Sequence, residues 1–217
     1  MSSDILLNAT ALSHAFDYPL YRDVALTLHA GECASVQGRS GSGKSTLLHT
    51  LSGFLPPQSG QVEVLGDDLY ALSDLERDRL RRHTVGIVFQ SHYLFKGMTG
   101  RQNIEAAAML AGTQLDPALL DALEIADVID QKVSELSGGQ QQRVSVARVL
   151  SKQPLLLFAD EPTGNLDSET AGLVMEVLRQ YIHQRKGALL LVTHDLAIAQ
   201  SCATRYRLED QHLTRLG

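Results

Sequence analysis

Three stretches of this chain are unbroken apolar runs: Val85-Gly86-Ile87-Val88-Phe89, Leu155-Leu156-Leu157-Phe158-Ala159 and Leu189-Leu190-Leu191-Val192. A strand with one face in water alternates apolar and polar residues, whereas a strand covered on both faces has no such constraint. Runs this short fall far below the roughly 20 residues needed to cross a bilayer. They are predicted to be strands of a parallel sheet sandwiched between helices. Each ends in polar residues: Gln90 after the first, Asp160-Glu161 after the second and Thr193-His194-Asp195 after the third. Open α/β sheets bind ligands at the carboxyl ends of their strands. Gln90, Asp160, Glu161 and His194 are therefore predicted to face one crevice, although an acid at a strand end often only caps the next turn.

The first third reads as shorter strands, Ile5 to Leu7, Val24 to Leu28, Cys33 to Gln37 and Gln61 to Leu65, divided by turn signals at Ala30-Gly31 and Pro56 to Gly60. A long, mainly helical segment, about 91–153, separates the first two apolar runs, with helical spacing in Ile104 to Leu110 and Leu119 to Val128. A helix is also expected from Ser168 to Gln184, its stripe of Leu173, Val174, Val177, Leu178, Tyr181 and Ile182 serving core packing. The expected build is one α/β unit, 1–217: a core of about 1–90 and 154–217 with a mainly parallel central sheet and an N-terminal antiparallel part, and an inserted helical subdomain of about 91–153.

Gly38-Arg39-Ser40-Gly41-Ser42-Gly43-Lys44-Ser45-Thr46 follows the strand Cys33 to Gln37 and opens the helix Ser45 to Leu51, the context in which the phosphate-loop pattern has a mechanism. Glycines let backbone N–H groups converge on phosphate oxygens, and the helix start adds about half a positive charge. Lys44 is placed to reach the β and γ phosphates, Ser45 to offer a hydroxyl to Mg²⁺, and Thr46 to contact the α phosphate. Asp160 would then orient the metal's water shell, Glu161 would serve the attacking water, Gln90 would ligate Mg²⁺ or hold water, and neutral His194 would donate to a γ phosphate oxygen. A bare glycine turn between strand and helix is the competing reading.

With 19 Lys and Arg against 25 Asp and Glu, net charge is -6, which offers no sequence-independent attraction to nucleic acid. The start Met1-Ser2-Ser3-Asp4 lacks the basic flank and apolar core of a signal peptide. Two cysteines, Cys33 and Cys202, make no disulfide framework or zinc cluster, which points to a reducing, cytoplasmic setting.

Leu136-Ser137-Gly138-Gly139-Gln140 has the makings of a second anion site: Ser137 as N-cap, two glycines exposing backbone N–H groups, then a helix to about Leu150. Together with the motifs above, and in this order along nearly the whole chain, the pentapeptide resembles the signature of the ATP-binding-cassette (ABC) ATPases. The resemblance implies a phosphate-loop, RecA-like fold, ATP and Mg²⁺ as ligands, and two chains packed head to tail. Ser137 to Gln140 of one chain would cap the nucleotide held by the other. It also implies that Phe16, or else Tyr18 or Tyr21, stacks on adenine, with core burial the competing role for Phe16. Gly164-Asn165-Leu166-Asp167 looks like the segment that runs along the partner chain, although Asp167 or Ser168 also suits a helix cap.

In such ATPases a stretch like His92-Tyr93-Leu94-Phe95-Lys96-Gly97-Met98-Thr99 with Asn103-Ile104 receives a membrane permease, which makes Tyr93, Leu94, Phe95 and Met98 candidate contacts, core packing being the alternative for each. The permease would be a separate polypeptide in a complex of two ATPases and two membrane subunits at the cytoplasmic face of the membrane. The motif forms are most similar to the branch serving macrolide, lipoprotein, haem and antimicrobial-peptide exporters. Gln102 stands where an acid commonly precedes the Asn, and Ser134 where a proline often precedes the signature; both bear on coupling rather than hydrolysis. A soluble cassette ATPase of DNA repair or translation is the alternative, but this chain shows one cassette and no long coiled-coil or zinc insertion. A phosphate-loop kinase would leave Ser137 to Gln140 without a purpose.

Overall fold

A computed structural model describes residues 4–164 and 166–216. The chain opens with a long hairpin, β1 (Ile5–Ala15) and β2 (Pro19–His29), then β3 (Cys33–Gln37), helix α1 (Lys44–Leu51), β4 (Ser59–Val64) and the short β5 (Asp67–Asp68). Helix α2 (Asp74–His83) leads to β6 (Val85–Val88), followed by α3 (Gly100–Ala111), α4 (Pro117–Ala122) and α5 (Gly138–Ser151). The remainder is β7 (Leu156–Asp160), α6 (Ser168–Arg185), β8 (Ala188–Thr193), α7 (Leu196–Gln200) and a closing hairpin, β9 (Thr204–Glu209) and β10 (His212–Arg215).

Two sheets form. One is antiparallel, in the order β2-β1-β4-β5; the other runs β10-β9-β3-β8-β7-β6 and is parallel except at its β9–β10 edge. The apolar runs are β6, β7 and β8 of the second sheet, β7 and β8 interior and β6 at its edge, and their residues divide between two cores. Leu156, Phe158, Ala188, Leu190 and Val192 pack with α1 and the antiparallel sheet, while Leu157, Ala159, Leu189 and Leu191 pack with α5 and α6. Both faces of β7 and β8 are therefore dry, the physical cause of the missing alternation. Residues of the 91–153 segment, among them Ile104, Leu120 and Val144, lie in the same cluster as Leu157 and Leu191. The α6 stripe buries Val174, Val177, Leu178 and Ile182, adds Met175, and leaves Leu173 and Tyr181 half-buried. No helix among the described residues is long and apolar enough to cross a membrane.

The structure pairs the two cysteines, which were expected to make no disulfide framework. Cys33 at the start of β3 and Cys202 after α7 are bonded, with Cα atoms 5.0 Å apart. They are 169 positions apart in the chain, but α7 packs directly on β3 and β8, and no local sequence signal reports that adjacency. Cysteine usage thus no longer argues for a reducing compartment.

A half-buried cation marks the seam between α5 and the strands. Lys152, the C-cap of α5, donates its Nζ to the carbonyls of Arg81 at 3.0 Å and Val85 at 2.9 Å, and burial, then Arg148, push its pKa down to about 8. An unfolded lysine titrates near 10.4, so between those values the unfolded chain binds more protons and stability rises with pH. Denaturant titrations should show the unfolding free energy climbing by about 1.5 kcal/mol from pH 8 to 9.5 on account of Lys152. Lys44 is depressed in the same direction, so the Lys152→Met variant isolates this share: its rise must be shallower than that of the parent, and equal slopes would dismiss the assignment.

Candidate functional site

Register brings the predicted residues together. Gln37 lies opposite Thr193 and Asp160 opposite Val192, so the chain leaves β3, β7 and β8 at one level and in one direction. Around that edge is a cleft of 520 Å³ lined by Phe16, Tyr18, Leu20, Ser40, Gly41, Gly43, Lys44, Ser45, Thr46, Gln90, Asp160, Glu161 and His194. Ligand clefts span about 300–1,000 Å³.

The floor of the cleft is the start of α1. Among the described residues, six of the seven α-helices, α2 to α7, begin with a side chain that accepts from the first-turn N–H groups: Ser73, Thr99, Asp116, Ser137, Asp167 and Asp195. Helix α1 has no such cap and no acid in its first turn; its N-cap is Gly43 at φ 95°. A residue with a Cβ resists that conformation, and the orphan N–H groups of a helix start are suited to an anion. Gly38, not itself a lining residue, is needed for space: a Cβ there would stand 2.6 Å from the Leu208 carbonyl.

Side chains complete an anion cradle. Lys44 is buried and curls back so that Nζ donates to the carbonyls of Gly38 and Arg39, both at 2.9 Å. Burial lowers its pKa, opposed by the nearby Glu161 and Asp160 carboxylates. The Ser42 hydroxyl is buried with no partner, an orphan of the kind a phosphate oxygen satisfies. Ser45 donates to Asp160 at 3.0 Å, and burial raises the Asp160 pKa. No group of three His, Cys, Asp or Glu that could hold a metal exists among the described residues. The hydroxyl-plus-carboxylate set suits Mg²⁺, which takes one or two protein ligands together with phosphate oxygens.

Glu161 is the most constrained group in the cleft. Its backbone is left-handed, φ 47°, and its side chain is 13% exposed. The carboxylate accepts from the Thr193 hydroxyl at 2.8 Å and the His194 backbone N–H at 2.9 Å, and lies 2.7 Å from His194 Nδ1. With Nδ1–H donating there, neutral His194 has only a lone pair on Nε2. In that tautomer and ring position it could not donate to a phosphate, which bears on the expectation of a neutral donor.

Among the aromatic candidates, Phe16 and Tyr18 are 63% and 61% exposed on the cleft wall, and Phe16 stands edge-on to the buried His14 at 4.9 Å. Tyr21 is corrected: it is fully buried and bonded to the Thr50 hydroxyl at 2.8 Å, out of reach of any ligand. Ser137 caps α5 in a reciprocal pair with Gln140, 3.2 and 2.8 Å. None of Ser137, Gly138, Gly139 and Gln140 lines the cleft. Asp167 caps α6, and Asn165 lies outside the described residues. Ser42 and Thr193 are site residues without a local signal of their own: the first is one small residue of the loop before Lys44, and nothing in the sequence around Thr193 shows that its hydroxyl turns to Glu161.

A uniquely uncapped helix start and a lysine, set beneath carboxylates at parallel strand ends, define a phosphate-loop nucleoside triphosphatase. The chain belongs to the ABC transporter family, whose model matches residues 21–164, and it is an ATP-hydrolysing subunit of that family. It is 40% identical over 188 residues to the lipoprotein-releasing system ATP-binding protein LolD of Xanthomonas oryzae pv. oryzae, covering 84% of this chain and 77% of that protein. It is 39% identical over 197 residues to LolD of Bdellovibrio bacteriovorus, covering 88% and 90%. The fold matches a dimeric post-hydrolysis structure of the ATP-binding cassette MJ0796 bound to ADP and Pi, with TM-score 0.86 and 28% identity over 97% of this chain and 99% of that one.

Proposed function

We propose that this chain is the motor of a transporter that extracts lipoprotein from a membrane. Two copies close head to tail on ATP, and a separate permease converts closing and opening into transport. The substrate class is supported by the likeness to LolD proteins, which release lipoproteins. The paired arrangement is supported by one observation: Lys44, Ser45, Thr46, Gln90, Asp160, Glu161 and His194 line one cleft, whereas none of Ser137 to Gln140 lines it and Ser137 and Gly138 lie exposed. A second copy supplies what the first lacks.

In this reading the α1 N–H groups, Lys44 and Thr46 hold the phosphates, while Phe16, backed by His14, or its neighbour Tyr18 holds adenine. Ser45, Asp160 and Gln90 would hold Mg²⁺, which would supply neutralisation of phosphate charge. Glu161 accepts a proton from the attacking water, and His194 and the partner's signature stabilise the γ phosphate. Tyr93, Phe95 and Met98 are 67%, 59% and 40% exposed, an apolar group suited to a permease, whereas Leu94 packs partly against the second core. Asn103 is buried and ties this loop to α3 through the Phe95 N–H at 2.8 Å and the Phe95 carbonyl at 3.2 Å. The location that follows is the cytoplasmic face of the membrane, reached through the permease.

The deciding measurement is ATP turnover by this chain assembled with the permease that co-purifies from membranes, in lipid with candidate substrates. An acylated lipoprotein should raise the rate severalfold. Stimulation by haem or a macrolide with none by lipoprotein would reassign the substrate.

A further inference from the structure

Helix α5 starts at the Ser137 cap and, five residues on, turns Gln142 into the interior, where it is 2% exposed. Five residues of helix span about 7.5 Å. The Gln142 amide nitrogen donates at 2.7 Å to the carbonyl of Pro162, the residue immediately after Glu161. Further along the same helix, the Ser145 hydroxyl and the Arg148 guanidinium hold the carbonyl of His92 at 3.2 and 2.8 Å, and Arg148 holds that of Tyr93 at 2.6 Å. One 14-residue helix is therefore bonded to the chain just past Glu161 and just past Gln90.

A glutamine is costly in such a place, since a buried amide must find partners that a leucine of similar volume would not need. This one finds a partner on one side only. Gln142 Oε1 and His92 Nδ1 are both buried without partners, and both residues line the same small gap with Gln90, Glu161 and Pro162. Glu161 has the left-handed backbone that surroundings must hold in place. Val192 and His194 hold it from the β8 side; from the opposite side the bond to Pro162 reaches it.

We propose that Gln142 is a positioning residue for Glu161: it links the signature end of α5 to the carboxylate of its own chain, so that what Ser137 meets on the partner sets the placement of Glu161. The inference rests on the proposed roles of Glu161 and Ser137. A rigid helix moved at its N-cap by the partner's nucleotide would carry Pro162 with it through the Gln142 bond.

The test uses the purified 217-residue chain, with kcat, KM and Hill coefficient for ATP, nucleotide affinity in a Glu161→Gln background, and melting temperature for every variant. Gln142→Leu fills the space without a donor, and Gln142→Glu keeps the length while setting a carboxylate against the carbonyl. Both should lower kcat at least tenfold with KM and nucleotide affinity within about twofold of wild type and a Hill coefficient falling towards 1. Ser137→Ala should cost clearly less in the Gln142→Leu background than in wild type, because coupled positions are not additive. Wild-type kcat and Hill coefficient in Gln142→Leu would overturn the inference, as would loss of kcat and affinity together in step with folded protein. If Glu161→Gln itself turned over normally, the functional reading would fail; if it is inactive while Gln142→Leu is normal, only this link fails.

Discussion

Glu161→Gln should bind ATP as tightly as the wild-type chain and hydrolyse it at least about 100-fold more slowly, a loss of about 2.7 kcal/mol or more of transition-state stabilisation. Shape is preserved, since the amide occupies the volume of the carboxylate, and the phosphate cradle of α1 and Lys44 is untouched. What changes is proton affinity. The amide cannot take a proton from water, and one of its two positions becomes a donor facing groups that already donate, the Thr193 hydroxyl at 2.8 Å and the His194 N–H at 2.9 Å. The variant therefore loses the base and also strains its clamp. Single-turnover hydrolysis beside equilibrium nucleotide binding separates the two steps, and a rate within a few-fold of wild type would assign the base elsewhere.

The features legible in the sequence are those whose physical cause is local. Apolar runs reported strands dry on both faces, and Gly43 with Lys44 reported a helix start left open. Elements were missed where that locality fails. The β1–β2 hairpin runs over Ile5–Ala15 and Pro19–His29, yet Ala11 and Asp23 sit at positive φ and the pairing register shifts along it, so only its most apolar fragments stood out. Helix α2 buries no residue completely and has no apolar stripe to announce it, and its start is held by a reciprocal cap of Ser73 and Glu76. The β9–β10 hairpin turns through Asp210 and Gln211, both at positive φ, without the glycine that usually announces such a turn. The Cys33–Cys202 pair, the burial of Tyr21 and the inward Gln142 are long-range facts with no local signature.

The same division explains why the site could be assembled from sequence while its tethers could not. The residues proposed to meet phosphate are placed by strand ends and a helix start, features with fixed periods and turn chemistry. Residues that hold those groups in position, Thr193 under Glu161 or Gln142 under Pro162, lie 32 and 20 positions from what they touch. Their polarity is visible in the sequence, but their burial is not, and burial is what makes each bond consequential.

Ser137→Arg should leave nucleotide binding by the single chain unchanged and abolish ATP-dependent pairing. Ser137 lies outside the cleft that holds Lys44 and Glu161, so no group contacting the chain's own nucleotide is altered. At the helix start, however, the substitution removes the hydroxyl that accepts from the Gln140 N–H, costing about 1 kcal/mol, and sets a cation against the positive end of the α5 dipole. Ser137→Ala carries the first of these losses alone and serves as the folding control. The long guanidinium would occupy the space into which a partner's γ phosphate must come, and the hydroxyl that would bond it is gone. With the Glu161→Gln change present in both chains to hold ATP intact, light scattering should report a dimer for the parent, a weakened dimer for Ser137→Ala and monomer alone for Ser137→Arg. Turnover in the otherwise wild-type background should fall by at least about 100-fold, since a lost oxyanion-type donor alone costs about 10²–10³. Equal dimer yields from Ser137→Arg and its parent would show that each cleft is closed by its own chain.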